Sequence, residues 1–219
     1  MCVNYIPVPK RMLLDFFRAP PPVEDWPAEV WQDYAAPIIV ADGAGRKSLL
    51  ANYGMIPRKK KLSDKRYSTM NARAETIGQL VSYKRAWLQC QFCLVPMLGF
   101  FEPCYESGKP ERNLINLVDG QPFAVAGLWR SWGEEDGSQT YSFTQITINA
   151  DNHPLMRRMH KPGDEKRNLV IIHEAGYNDW LTNRDIELAR TFLQNYPAEQ
   201  MQAIPTPLKP DPPVTDSLF

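Results

Sequence analysis

The chain has 219 residues, with 25 Lys+Arg against 25 Asp+Glu, 43% hydrophobic residues, 20 Pro and 12 Gly. That length suits one core, since chains of about 150 to 250 residues bury about 70% of their unfolded surface, and 6 Trp, 9 Tyr and 9 Phe exclude wholesale disorder. A formal charge of zero excludes a uniformly basic nucleic-acid coat but leaves room for a local basic groove. No apolar run approaches the roughly 20 residues that span a bilayer, and Met1-Cys2-Val3-Asn4-Tyr5 has no charged region ahead of an apolar one, so a cytoplasmic protein without a membrane partner is expected. The cysteines Cys2, Cys90, Cys93 and Cys104 read as reduced thiols rather than a disulfide framework.

In chain order, Lys10 to Phe17 predicts a short amphipathic helix that Ala19-Pro20-Pro21-Pro22 stops, and the region around Trp26-Pro27 and Trp31 predicts a loop or a brief helix. Pro37 to Ala41 and Ser48 to Tyr53 predict a hairpin turned by Asp42-Gly43-Ala44-Gly45. Arg58-Lys59-Lys60-Lys61, with Lys65-Arg66 close behind, is the one dense cationic stretch. Apolar spacing from Glu75 to Gln89 predicts a helix carrying Lys84-Arg85. Strands are expected at Cys93 to Pro96 and Phe100-Phe101, separated at Gly99, then at Asn113 to Val118, Phe123 to Trp129, Tyr141 to Ile148 and Asn168 to Ile172. Pro154 to His160 predicts a short helix, and Thr182 to Asn195 another, opened by a capping-box-like Thr182-Asn183-Arg184-Asp185. The order predicts an α+β fold: a single domain over residues 1–204 with a curved, mainly antiparallel, barrel-like sheet flanked by a few helices, and a Pro-rich tail over 205–219.

Cys2 carries the most specific chemistry. Removal of Met1 leaves an α-amine and a thiol on adjacent carbons, with reference pKa values of about 7.7–8.0 and about 8.5. Such a 1,2-aminothiol condenses with an aldehyde to an imine and closes a five-membered ring onto the same carbon. Cys90-x-x-Cys93 reads as core packing, because a zinc site would need Cys104, His153 or His173 to complete it and no second paired motif exists. Phosphate loops, nucleophile elbows and zinc-protease motifs are absent, and no metal or small-molecule cofactor is implied.

Asn71-Ala72-Arg73-Ala74-Glu75, Cys93-Leu94-Val95-Pro96-Met97-Leu98-Gly99-Phe100-Phe101-Glu102 and Met159-His160-Lys161-Pro162 follow one another in the chain. With Met1-Cys2, Tyr34-Ala35-Ala36-Pro37 and Tyr53-Gly54-Met55-Ile56-Pro57, the chain resembles the SRAP family (SOS-response-associated peptidase domain), whose proteins crosslink to abasic sites in single-stranded DNA. The matches span residues 2 to about 172. The family's Gly-Arg after the cysteine is replaced by Val3-Asn4, its arginine after the histidine is missing, and Tyr53 stands where the family usually has Trp.

The resemblance implies Cys2 as nucleophile, Glu102 as general acid/base in an apolar neighbourhood, His160 polarising or protonating the sugar oxygen and the imine, and Asn71 orienting the α-amine. Arg73 suits bidentate phosphate recognition, with Arg58, Lys59, Lys60, Lys61, Lys84, Arg85, Arg157 and Lys161 extending the DNA path and Tyr53 stacking on an exposed base or sugar. These cations are expected on one face, with acids such as Glu24, Asp25, Glu134, Glu135 and Asp136 elsewhere. The implied protein is a monomer acting on abasic single-stranded DNA, with autopeptidase and abasic-site lyase activities from the same residues. Each residue taken alone has an ordinary alternative: an inconsequential early cysteine, a surface-turn glutamate, a structural histidine, a cap, a solvated cationic loop. Two other functions stay open, an N-terminal-nucleophile thiol hydrolase or amidotransferase with the α-amine as base, and a non-catalytic module that binds single-stranded DNA.

Overall fold

β-Branched and aromatic residues recur at period two through much of the chain, and they form the strands that dominate the described residues, 3–60 and 68–208, of this computed structural model. β1 (Tyr5–Pro7) leads into α1 (Lys10–Asp15), and β2 (Ala35–Asp42) and β3 (Gly45–Tyr53) make the expected hairpin, in register from Ala35 opposite Asn52 to Asp42 opposite Gly45. A 3-10 turn at Arg58–Lys60 precedes β4 (Asn71–Arg73) and α2 (Val81–Leu88). β5 (Phe92–Cys104), β6 (Glu111–Leu117), β7 (Phe123–Gly133) and β8 (Gln139–Asn149) are the long strands. A 3-10 turn at Met156–Arg158, β9 (Arg167–Leu169) and β10 (Ile171–Ile172) follow, then α3 (Tyr177–Thr182), α4 (Ile186–Thr191) and β11 (Met201–Pro205).

Five strands close into a ring, β5–β7–β8–β3–β2 and back to β5, in which only β3 and β8 run parallel. Ring closure removes the exposed edges that an open sheet of this length would present. Alternation along the strands builds two cores on opposite faces. Phe92, Leu94, Ala124, Ala126 and Leu128 meet Leu13 of α1, Trp87 of α2 and Trp180 of α3, while Cys93, Val95, Met97, Phe123 and Val125 meet Tyr5, Tyr53 and Phe143.

Four departures from the sequence reading have local causes. β5 runs unbroken through Gly99, which is a point of close approach rather than a break: a Cβ there would lie 2.7 Å from Leu114 Cδ1 and 2.8 Å from the Ile115 carbonyl oxygen. The helix expected from Glu75 shrinks to Val81–Leu88, because the preceding residues turn, with the Ala74 N–H on the Thr147 carbonyl at 2.9 Å and Ile77 buried in the helix-covered core without being helical. The last expected helix divides at Asn183, whose Oδ1 accepts the Asp185 N–H at 2.8 Å; Asp185, not Thr182, caps α4 by accepting the Glu187 and Leu188 N–H groups. β11 was not foreseen; it pairs with β6, and Thr206 N–H continues onto the Arg112 carbonyl at 2.8 Å.

Cys90 and Cys93 separate into the two cores. Cys90, at φ 50°, ends α2 in a Schellman motif, with Gln91 N–H on the Ala86 carbonyl at 2.9 Å and its own N–H on that of Trp87 at 3.0 Å. Burial drives the Cys93 thiol well above its ordinary range. No helix among the described residues is long and apolar enough to cross a membrane.

At Gly127, a Cβ would lie 2.8 Å from both Cys93 Sγ and the Thr144 carbonyl oxygen. Gly127→Ala is expected to cost about 1–3 kcal/mol in urea unfolding by overpacking the ring. Gly133→Ala, with nothing within 4 Å of its Cβ, should stay within about 0.5 kcal/mol.

Candidate active site and nucleic-acid interface

β1 pairs antiparallel with β5, Tyr5 opposite Phe100, and the Phe101 N–H donates to the Asn4 carbonyl at 3.1 Å. The beginning of the described chain, Val3-Asn4-Tyr5, is thereby laid along the strand that carries Glu102. Cys2, bonded to Val3, lies outside the described residues. Between Met97 and Phe100 the β1–β5 register slips by one residue, so the face of Cys93, Val95 and Met97 continues as Phe100, Glu102 and Cys104. Glu102 is thus turned into the core and is only 3% exposed.

His160 reaches the same spot from a distant segment. Met159 bridges Cys104, the His160 N–H donates to the Pro103 carbonyl at 2.7 Å, and His160 adopts φ 66°. A left-handed conformation at a non-glycine residue costs on the order of 1–3 kcal/mol and persists where the surroundings impose it. Here Lys166 Nζ adds a bond to the His160 carbonyl at 3.1 Å. The result places His160 Nε2 3.1 Å from Glu102 Oε2, with both side chains at most 5% exposed. The separation is that of a hydrogen bond, yet neither ring nitrogen of His160 finds a well-angled partner among the described residues. A small rotation of either group would align a proton between them.

Asn71 opens β4, parallel to β8 and in register with Gln145. Its carbonyl accepts from the Tyr83 hydroxyl at 3.1 Å, a phenol that burial pushes up to about 12 and so keeps protonated as donor. Ala72 enters the helix-covered core, which turns Asn71 and Arg73 to the other face. A set of contacts links this strand to β5: the Tyr53 hydroxyl donates to Gln145 Oε1 at 3.0 Å, and Tyr53 packs edge-on against Tyr5, the residue opposite Phe100. Tyr53 itself is fully buried, stacked on Phe143 at 5.2 Å. The expected stacking of Tyr53 on an exposed base or sugar is therefore corrected, because the ring is packed inside the core with no exposed surface.

The cations do not gather on an acid-free face. Lys59 and Lys60 lie 3.3 and 2.9 Å from Glu134, Arg73 2.7 Å from Glu165, and Arg158 2.7 Å from Glu106. Glu134, expected elsewhere, accepts from the Thr140 hydroxyl and from Lys60, which hold its carboxyl down at about 2. Local pairing wins over segregation because clustered like charges repel. Arg58, Lys84, Arg85, Arg157 and Lys161 are exposed and have no carboxylate partner among the described residues; Lys61, Lys65 and Arg66 lie outside them.

One residue the sequence reading missed is Arg167. It is 2% exposed, bonds Glu75 at 2.9 and 2.8 Å and Glu165 at 2.8 Å, and donates to the Thr147 carbonyl at 2.7 Å. Through Glu165 it fixes the carboxylate that holds Arg73. Glu75 stood in the motif, but its partner is 92 residues away in the chain and no spacing announces it. Arg112 was also missed: its guanidinium lies 3.2 Å from the centre of the Phe101 ring and 2.6 Å from Glu29, which Asn4 also contacts. Asn4, standing where the resembling family has arginine, is thus tied into a network beside β5.

The family profile described as SOS response associated peptidase (SRAP) matches residues 21–208. The chain belongs to the SRAP family. It is 29% identical over 170 residues to the abasic site processing protein YoqW of Bacillus subtilis (strain 168), covering 75% of this chain and 71% of that one. The same organism's abasic site processing protein YobE is 29% identical over 170 residues, with 75% and 73% covered. Among solved structures, a Bordetella bronchiseptica protein superposes with a TM-score of 0.86 at 35% identity, over 94% of this chain and all, 100%, of that one. A Bacteroides thetaiotaomicron protein shares the fold at a TM-score of 0.73 and 20% identity, over 92% and 90%. The ring of strands with few helices is accordingly the SRAP fold.

Within this SRAP structure the buried Arg167 makes an acid-sensitive contribution. Burial, the largest single influence on Glu75, raises its carboxyl, but the Arg167 hydrogen bond and charge together with backbone N–H donors outweigh it and the net shift is downward; Glu165 is lowered chiefly by Arg167. Carboxyls depressed in the folded state stabilise above their unfolded value of about 4.3, and that contribution fades as pH falls through the folded one. Arg167→Met is expected to lower the unfolding free energy by about 1–3 kcal/mol at pH 7, reduced from the fully buried case because both glutamates are partly exposed. Urea midpoints at pH 3 should differ less between the two proteins than those at pH 7.

Proposed function

We propose that this SRAP protein processes abasic sites in single-stranded DNA, forming a thiazolidine between Cys2, freed by removal of Met1, and the ring-opened aldehyde of the damaged sugar. The amine adds to the aldehyde, the resulting hydroxyl leaves as water to give the imine, and the thiol adds to the imine carbon while its proton passes to nitrogen. Aldehyde and aminothiol become thiazolidine and one water, so no oxidant, metal or cofactor is required. The observation that carries the reading is the buried Glu102–His160 pair, 3.1 Å apart, with Glu102 on the strand against which the N-terminal strand is registered. The relatives named as abasic site processing proteins add support.

The two side chains divide the proton work. Glu102 and His160 exchange a proton at Oε2 and Nε2, assisting opening of the sugar ring and protonating the departing hydroxyl. Asn71, with both a donor and an acceptor, orients the Cys2 amine. Arg73 receives a phosphate once Glu165 yields it. Removal of residues preceding Cys2 and slow strand cleavage at the abasic site belong to the same proposal, as does action as a cytoplasmic monomer.

The test is incubation with a single-stranded oligonucleotide bearing one abasic site, followed by a denaturing gel, with intact mass reporting loss of Met1. A heat-stable conjugate is expected for the wild type and none for Cys2→Ala. Glu102→Gln and His160→Gln should each slow conjugation by about 10²–10⁴-fold. Equal conjugate from Cys2→Ala would overturn the reading. An acyl-enzyme trapped with an amide substrate, without DNA conjugate, would point to a thiol hydrolase, and salt-sensitive binding without a covalent product to a non-catalytic module.

A further inference from the structure

Among the guanidinium groups that the charge pairing leaves without a carboxylate, two come together. Arg85 of α2 and Arg130 of β7 line a single cavity of about 100 Å³ together with Ser82, Gln89, Gln91 and Ser131. Neither guanidinium makes an ion pair or a side-chain hydrogen bond among the described residues, whereas Arg73, Arg112, Arg158 and Arg167 are all paired. Two like charges directed into one partly closed cleft repel each other, and partial burial adds a solvation cost; both lower the Arg130 guanidinium from its ordinary value, burial being the larger. An arrangement of that kind is relieved by an anion.

The cleft is built to hold its shape. Trp132 donates from Nε1 to Ser142 Oγ at 2.8 Å, and Ser142 donates to the Met55 carbonyl at 2.8 Å. The indole so fixed carries the Arg130 guanidinium 3.8 Å from its ring centre, which sets the plane of the fork. The C-terminal end of α2 would ordinarily present free carbonyls here, hostile to an anion. The Schellman motif at Cys90 uses those of Ala86 and Trp87, and Gln89 N–H takes that of Arg85 at 3.0 Å. Beside Met55 and Ala86, the lining carries two guanidinium forks, two amides and two hydroxyls, rich in donors.

We propose that the Arg85–Arg130 cleft is a phosphate-binding site. Its volume is below the roughly 300–1,000 Å³ of sites for organic ligands and suits a phosphate group without the base or sugar attached to it. The site is separate from the candidate active site: Arg130 shares its strand face with Leu128, in the helix-covered core, whereas Asn71 and Arg73 flank Ala72 and turn to the opposite face. The phosphate comes either from a nucleic-acid strand running past α2 or from free phosphate.

The experiment compares wild type, Arg130→Gln, Arg85→Gln and the control Lys109→Gln, an exposed cation outside the cleft. One arm titrates inorganic phosphate at constant ionic strength and follows tryptophan fluorescence; the other measures anisotropy of an undamaged twelve-nucleotide oligo-dT strand across a NaCl series. In at least one arm, Arg130→Gln and Arg85→Gln should each weaken binding by about 10- to 100-fold, the worth of a charge-assisted contact, with Lys109→Gln losing far less. For the strand, the slope of log K against log salt should fall by about 0.7, one phosphate contact. Arg130→Lys keeps the charge, loses the planar fork and should fall between; should Arg130→Gln misfold, Arg85→Gln on the exposed helix face carries the test. Dependence on both arginines for inorganic phosphate identifies a free-phosphate site, and dependence for the strand alone an internucleotide contact. Unchanged binding of both probes by both variants, or no binding of either probe by the wild type, overturns the proposal. Conjugation to the abasic strand at saturating DNA is read separately and should survive Arg130→Gln, so failure of this site and failure of the thiazolidine reading are distinguishable.

Discussion

The arrangement of the candidate site depends on a one-residue slip in β5. This strand pairs with β1, β2, β6 and β7, and its parity changes between Met97 and Phe100. A strand side chain has only two faces to choose from. Without the slip Glu102 would share the face of Phe92 and Leu94 and meet the core beneath the helices; with it, Glu102 joins Phe100 and Cys104 on the other side. Gly99 makes this possible, because no Cβ fits between it and the Leu114–Ile115 stretch of β6. The bulge is thus the device that aims a carboxyl at a histidine from another part of the chain.

Around that pair the protein spends polar contacts on rigidity. His160 is held left-handed by bonds at its N–H and carbonyl, and Asn71 is held through its backbone by Tyr83. The charged groups follow the same logic: Arg167, buried between Glu75 and Glu165, steadies the carboxylate that in turn occupies Arg73. In the proposed function, a strand arriving at Arg73 has to compete with Glu165, so phosphate affinity there would be a difference between two ion pairs rather than the full strength of one. The Arg85–Arg130 cleft is the converse case, in which the fold supplies the cations and leaves out the carboxylate.

How much of this could be read in advance differs by element. The β2–β3 hairpin, β6, β7 and β8 were legible because alternation and turn residues are local signals. The helix at residues 75–80 was over-read because Ile77 is apolar for the core and not for a helix. β11 was missed because a five-residue strand ending in Pro205 resembles the start of a Pro-rich tail until its partner β6 is known. Among candidate site residues, Asn71, Glu102 and His160 could be named from their motifs, whereas Tyr53 was given a surface role that burial denies it and Arg167 carried no signal at all.

The sequence by itself determined the kinds of chemistry available: an aminothiol if Met1 is lost, a carboxyl and an imidazole in motif positions, alternating strands enough to close a ring, and equal numbers of cations and anions. Only the tertiary structure decided which of these meet. Residue types and periods are properties of neighbours along the chain, but the slip at Gly99, the pairing of Glu134 with Lys59 and Lys60, and the 3.1 Å approach of His160 to Glu102 are properties of contacts many residues apart. Those contacts are selected by packing and charge balance in three dimensions, which local spacing does not encode.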